Sequence, residues 1–181
     1  MPVIKELKNP CTEEYLKLKK HFHGDVIPWF YYSSSTTSVE GEEDIPFYSH
    51  KIMERPSKHE GTPYTQITSE YFKPVYLLLK QIFECNELDV SVIYRINLNA
   101  TFSVPTNKRS PYHTDLDIPH KNLLIYMSKF EGGELYINDN NQEVKMSPKE
   151  DDVILFDGFL EHCIATPTGI DRRIVLVVNF L

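Results

Sequence analysis

The sequence predicts a mainly β fold, a jelly-roll sandwich flanked by about two N-terminal α-helices. Two observations predict it. From Leu88 onward the apolar residues recur with a period of two, in about eight short runs separated by turn signals such as Gly132-Gly133, Ser147-Pro148, Asp157-Gly158 and Pro167-Thr168-Gly169. Before Leu88 the chain is irregular and aromatic, with two stretches whose apolar residues fall at helical spacing. Residues 1–181 are read as one domain, in which 1–87 form helical and irregular support and 88–181 the jelly-roll core.

The elements follow in order. Asn9-Pro10 opens the first helix, because Pro is tolerated in a first turn. Cys11, Tyr15, Leu18 and Phe22 share its apolar face, and Gly24 ends it. Pro28-Trp29-Phe30-Tyr31-Tyr32 reads as an extended aromatic segment assigned to the core, and Ser33–Asp44 as a mobile polar loop near the mouth of a cleft. Phe47–Met53 is a strand and Arg55–Pro63 a loop. Thr68 or Ser69 starts a second helix, with Pro74 near its first turn and Tyr71, Val75, Leu78, Leu79, Ile82 and Phe83 on a broad apolar face. Both helices are placed on the outer face of one sheet. In the next strand Val90, Val92, Tyr94, Ile96 and Leu98 occupy one face, and Ser91, Ile93, Arg95, Asn97 and Asn99 the other. Further strands are read at Tyr112–Asp117, Asn122–Ser128, Glu134–Ile137, Gln142–Met146, Val153–Phe156, Glu161–Thr166 and Arg172–Phe180.

Composition narrows the function classes. Apolar residues at 41% and charged residues at 25% are ordinary for a globular protein. A net charge of −7 argues against a nucleic-acid coat or an anionic membrane surface, since both want a basic footprint. No apolar run reaches bilayer length, and Met1–Glu6 lacks the apolar core of a secretory leader. Cys11, Cys85 and Cys163 are an odd, widely spaced set with no CxxC pair, so neither a disulfide framework nor a zinc knuckle is expected. A reducing cytoplasm is the expected location.

The chemistry concentrates late in the chain. His113 and Asp115 form a His-x-Asp pair, and on a strand residues i and i+2 project to one face. His162, on a later strand, offers a third ligand. Two histidines and one carboxylate on one face of a metal leave three positions open, the arrangement of non-haem Fe(II) oxygenases. Alone the pair is a weak pattern in a chain with 7 His and 26 acidic residues. Its context strengthens it: Arg172-Arg173 opens the last strand after a Pro-Thr-Gly turn, where a guanidinium can grip a carboxylate. Several neighbours are weighed against plainer roles. His120 reads as a solvated loop residue, His21-x-His23 as a polar cluster at a helix end, and Asp117 as an inward or a surface acid. Asp151-Asp152 reads as a solvated turn, while Cys163 and Glu161 point away from the side of His162.

Tyr112-His113-Thr114-Asp115, Leu124–Ser128, Gly132-Gly133-Glu134-Leu135, Val153–Phe156, His162, Pro167, Gly169 and Arg173–Leu176 occur in an order that resembles the Fe(II)/2-oxoglutarate dioxygenase superfamily, in its prolyl-hydroxylase-like branch. The resemblance spans residues 88–181 and implies a double-stranded β-helix, the jelly roll of that family. It implies that His113, Asp115 and His162 bind Fe(II), and that Arg173 holds the distal carboxylate of 2-oxoglutarate beside the aromatic hydroxyl of Tyr126. It places Arg95 and Asn99 along the pocket. The implied activity is an O2-consuming hydroxylation of a peptide or small-molecule substrate. Two other readings stay open: a cupin-like metal-dependent dioxygenase or isomerase that uses no 2-oxoglutarate, and a non-catalytic jelly-roll binding module.

Overall fold

The computed structural model describes residues 4–24, 26–34, 44–56, 64–104, 108–139 and 142–181. Most of the polar stretch Ser33–Asp44 and of the loop Arg55–Pro63 lies outside the described residues.

The chain runs through β1 (Ile4–Leu7), α1 (Glu13–His23), β2 (Phe30–Tyr32), β3 (Phe47–Glu54), β4 (Gln66–Ile67) and α2 (Phe72–Cys85). It continues through β5 (Ile93–Thr101), β6 (Lys121–Tyr126), β7 (Leu135–Asp139), β8 (Gln142–Met146), β9 (Val153–Asp157), β10 (His162–Ile164) and β11 (Arg173–Phe180). A major antiparallel sheet has the order β1-β9-β6-β11-β5-β3-β2, with β4 beside β3. A minor sheet has the order β10-β7-β8. Two sheets closing on one another, backed by helices, are the jelly roll expected.

The N-terminal residues do more than support the core, because β1, β2, β3 and β4 are strands of the major sheet. β1 has no sequence signal of its own; its edge pairing with β9, Ile4 opposite Phe156 and Leu7 opposite Val153, creates it. α1 starts later than Asn9-Pro10. Thr12 caps it, its hydroxyl accepting from Tyr15 N at 3.3 Å, while Cys11 sits at φ 45° outside the helix. Gly24 ends it as expected. α2 begins at Phe72 with Pro74 in its first turn.

Most of the apolar mass lies between the helices and the major sheet. Tyr15 and Phe22 of α1, with Val75, Leu78, Leu79 and Ile82 of α2, pack on Ile96, Leu98, Leu176, Val178 and Phe180. Each fully buried side chain of this size contributes about 1.5–3 kcal/mol. A second, smaller core lies between the two sheets, from Leu124, Tyr126, Leu135, Ile137, Ile154, Phe156, Val175 and Val177.

Three local expectations are corrected. The alternation along β5 breaks near Tyr94: Asn179 of β11 faces Arg95, but Phe180 faces Ile93, so one residue is bulged out. Ile93 therefore packs on the helix-side core, whereas Val92 is exposed. Tyr112–Asp117 is not a strand. Pro111 and Pro119 bracket it and carry no N–H, and only His113 forms an isolated bridge, to His162. Finally, the aromatic segment is only half in the core: Trp29 packs against it, but Phe30 and Tyr31 are exposed on the edge strand β2.

Candidate metal and carboxylate site

Although Tyr112–Asp117 is not a strand, His113 and Asp115 still meet His162. The bridge does this: His113 N donates to His162 O at 3.0 Å and His162 N to His113 O at 2.9 Å. The imidazole centroids are 4.5 Å apart, and one ligand atom from each of His113, Asp115 and His162 lies within 4.8 Å of the others. Each imidazole has its Nδ1 against a carbonyl, His113 on Pro111 O at 3.1 Å and His162 on Leu160 O at 3.3 Å. A carbonyl only accepts, so both Nδ1 atoms carry a proton, and it is the Nε2 atoms that are left to meet a metal.

Asp115 is held from several sides. Arg95 Nη2 lies 2.7 Å from Oδ1, and Asn179 Nδ2 donates to Oδ2 at 3.0 Å. Asn179 Nδ2 also donates to Asn122 Oδ1 at 2.5 Å, and Arg55 Nη1 donates to the Asp115 carbonyl. Burial pushes the Asp115 carboxyl up, but the Arg95 guanidinium, His162 and the Asn179 amide together outweigh it and hold it well below the usual carboxylate range. Burial lowers His162 to about 4, opposed by Asp115 and reinforced by His113, so its imidazole is neutral at neutral pH. A neutral His162 imidazole and an ionised Asp115 carboxylate are forms that bind a divalent metal.

These residues line a cavity of about 130 Å³ between the sheets, walled by Leu124, Ile164, Val175 and Val177. Arg173 also lines it, buried at 5% exposure. Its Nη1 donates to Gly133 O at 3.2 Å and Ala165 O at 3.4 Å, and its Nε has no partner. Gly133 is required there: at φ +66°, a Cβ would lie 3.1 Å from Arg173 Cδ. Among the described residues no carboxylate pairs with Arg173. Burial disfavours its charge, and the Tyr126 phenol beside it partly offsets this. Arg173 lies over the Tyr126 ring, 5.8 Å from the centroid. The Tyr126 hydroxyl is buried without a partner, and burial pushes it up to about 12, so it is a neutral donor. Tyr126 stands in the inter-sheet core, behind the residues that line the cavity. Thr101 Oγ1 and Asn97 Oδ1, on the cavity wall, are also without partners. The unpartnered donors of Arg173, Tyr126 and Thr101 fit an anionic carboxylate at the Arg173 end, and the His113-Asp115-His162 cluster fits a metal at the other.

No family model matches the chain, and no curated protein matches it. Solved structures do match. An oxidoreductase of the 2OG-Fe(II) oxygenase family from Burkholderia pseudomallei superposes with a TM-score of 0.69 at 15% identity, over 91% of this chain and 76% of that one. The chain shares the jelly-roll fold of that protein. A prolyl hydroxylase from Trichoplax adhaerens, in complex with a hypoxia inducible factor oxygen degradation domain peptide fragment, gives 0.61 at 13% identity over 99% and 83% of the two chains. A prolyl-4-hydroxylase from Pseudomonas putida gives 0.57 at 12% identity over 98% and 91%.

The remaining candidates fall into place on this fold. Arg172 does not share the cavity; its Nη2 donates to His23 O at 2.7 Å and its guanidinium lies over Trp29. Arg95 and Asn99 do line the cavity, Arg95 engaged by Asp115 and Asn99 accepting from Ser49 Oγ at 2.7 Å. His120 is not solvated: it is 3% exposed and packs on Gly158, where a Cβ would lie 2.3 Å from its ring. Asp117 is exposed. Asp151 is not a free turn acid, because Tyr15 Oη donates to it at 2.6 Å and Lys19 Nζ at 2.5 Å. Cys163 packs with Tyr136 and Ala165, away from the site. His21 and His23 bond Tyr71 and the Met127 carbonyl. Sequence reasoning missed Asn179, Thr101 and Ser110. Asn179 carried a signal, an amide inside the otherwise apolar run Ile174–Phe180.

Proposed function

We propose that the chain is an Fe(II)- and 2-oxoglutarate-dependent dioxygenase that hydroxylates a peptide or small-molecule substrate. The observation that carries this reading is the buried Arg173, without a carboxylate partner among the described residues, in one cavity with a His-Asp-His cluster. Under a metal-only or non-catalytic reading that buried charge has no counter-ion, an arrangement that costs several kcal/mol. On this reading His113 Nε2, His162 Nε2 and Asp115 hold the iron and leave three positions open. Arg173 takes the distal carboxylate of 2-oxoglutarate, with Tyr126 as a neutral donor behind it and Asn99 along the wall. Leu124, Val175 and Val177 keep water from the space between. When bound, iron and 2-oxoglutarate supply the oxidation, converting O2, 2-oxoglutarate and a substrate C–H to succinate, CO2 and C–OH.

The test is an anaerobic titration of 2-oxoglutarate into the iron-loaded protein, followed by charge-transfer absorbance. Wild type binds. Arg173→Lys, which loses the planar fork, weakens binding by about 10–100-fold, the equivalent of a charge-assisted bond of roughly 1.5–3 kcal/mol. Iron affinity is unchanged in that variant, whereas His113→Ala, Asp115→Ala and His162→Ala each lose iron. An iron-loaded protein that takes up no 2-oxoglutarate overturns the reading.

A further inference from the structure

Asp115 is unusual among the three cluster residues in having both of its ligand-capable atoms already met by the protein. The sheet register explains how. Arg95 on β5 and Asn179 on β11 are paired across the major sheet, and both side chains reach the same carboxylate. Arg95 Nη2 stands 2.7 Å from Oδ1 as the cation of an ion pair, and Asn179 Nδ2 donates a neutral hydrogen bond to Oδ2 at 3.0 Å. The Arg95 and Asp115 side chains are 14% and 9% exposed, so this is not a water-screened surface bridge. The Arg55 contact to the Asp115 carbonyl and the Asn122 contact to Asn179 fix the backbone and the amide in turn.

The two oxygens are therefore unequal. A carboxylate oxygen has two lone-pair directions, so Oδ2 can accept from Asn179 and still give a pair to a metal. Oδ1 has a spare lone pair too, but it stands against the Arg95 guanidinium, whose positive charge disfavours a metal cation on the same oxygen. A carboxylate can bind a metal through one oxygen or through both. Binding through both takes a second position on a six-coordinate ion and leaves two open instead of three.

We propose that Arg95 is a positioning residue that reserves Asp115 Oδ1 and restricts the carboxylate to one metal bond, through Oδ2. Three metal positions then stay open, the number needed for a two-point chelator and one further small ligand. The inference rests on the Fe(II)/2-oxoglutarate reading for its consequence, but its structural half concerns the metal alone.

The test uses the full chain loaded with Mn(II), whose exchangeable waters are counted by water-proton relaxation. Wild type should hold about three, Arg95→Met about two, and Arg95→Lys, which restores a cation, about three again. Arg95→Met should weaken 2-oxoglutarate by roughly tenfold or more, while metal affinity changes by no more than about threefold, less than the roughly 10–100-fold typical of removing a ligand's support. If Arg95→Met does not fold, Arg95→Gln, which keeps a donor without the charge, carries the same comparison. Equal water counts in wild type and variant, with metal retained, overturn the proposal. If instead 2-oxoglutarate displaces no water from wild type, the dioxygenase reading fails, and the water counts still decide the role of Arg95.

Discussion

The two faces of β5 and β11 are built from different materials. Toward the helices they present Ile96, Leu98, Ala100, Ile174, Leu176, Val178 and Phe180, all buried in one apolar cluster. Toward the minor sheet the same strands present Arg95, Asn97, Asn99, Thr101, Arg173 and Asn179, interrupted only by Val175 and Val177. On this second face Arg95 Nε, Asn97 Oδ1, Thr101 Oγ1, Arg173 Nε and Asn179 Oδ1 are buried without partners. Each such atom costs roughly 1–3 kcal/mol. The difference teaches where stability and chemistry reside: the helix face supplies the burial that lets the other face hold unpartnered polar groups on the same strands. No helix among the described residues is long and apolar enough to cross a membrane.

The largest test removes material from the helix face. Phe180 is fully buried and packs on Phe83 with ring centroids 5.2 Å apart. Phe180→Ala should lower unfolding stability by about 3–5 kcal/mol in a denaturant titration. The metal affinity of the molecules that remain folded should not change. A matching fall in metal affinity would break the division between the two faces.

A second test acts on the cavity face through pH. His162 is depressed from 6.5 to about 4, chiefly by burial, so folding favours its neutral form. The unfolded chain binds that proton first as pH falls. The contribution of His162 is therefore complete above pH 6.5 and is lost as pH falls toward 4. Asp115, held well below the usual range, stays ionised through this window. The metal-free protein should lose up to roughly 1.4 kcal/mol per pH unit there. His162→Leu, followed by the same denaturant titrations at each pH, should lack that share of the slope.

The smallest test sharpens the boundary of the helix face. Ile93 packs on the helix-side core and Val92 is 38% exposed, the reverse of what simple alternation gives. Ile93→Ser should cost about 1 kcal/mol. Val92→Ser should change stability by no more than about 0.5 kcal/mol. Equal costs, measured by thermal unfolding, would place the bulge elsewhere.

Much of this molecule was legible in one dimension, for reasons of period and chemistry. The period-two runs and their turn signals determined the strands from Asn122 to Phe180, since sheet side chains alternate whatever their partners are. The apolar face Val75–Phe83 determined α2 and its burial in the same way. The His-x-Asp pair, His162 and the Arg172-Arg173 pair marked the site by residue type. Tertiary structure decided the rest, because each remaining feature depends on a partner distant in sequence. β1 exists only through β9. His113 is aimed by a bridge to a residue 49 positions away, not by a strand of its own. His120 is buried because Gly158 leaves room for its ring. Arg173 rather than Arg172 faces the cavity because only one neighbour on a strand can, and which one depends on the pairing of Arg173 with Thr101. Arg95 and Asn179 converge on Asp115 because β5 and β11 pair in one register, and a register is a property of two strands together.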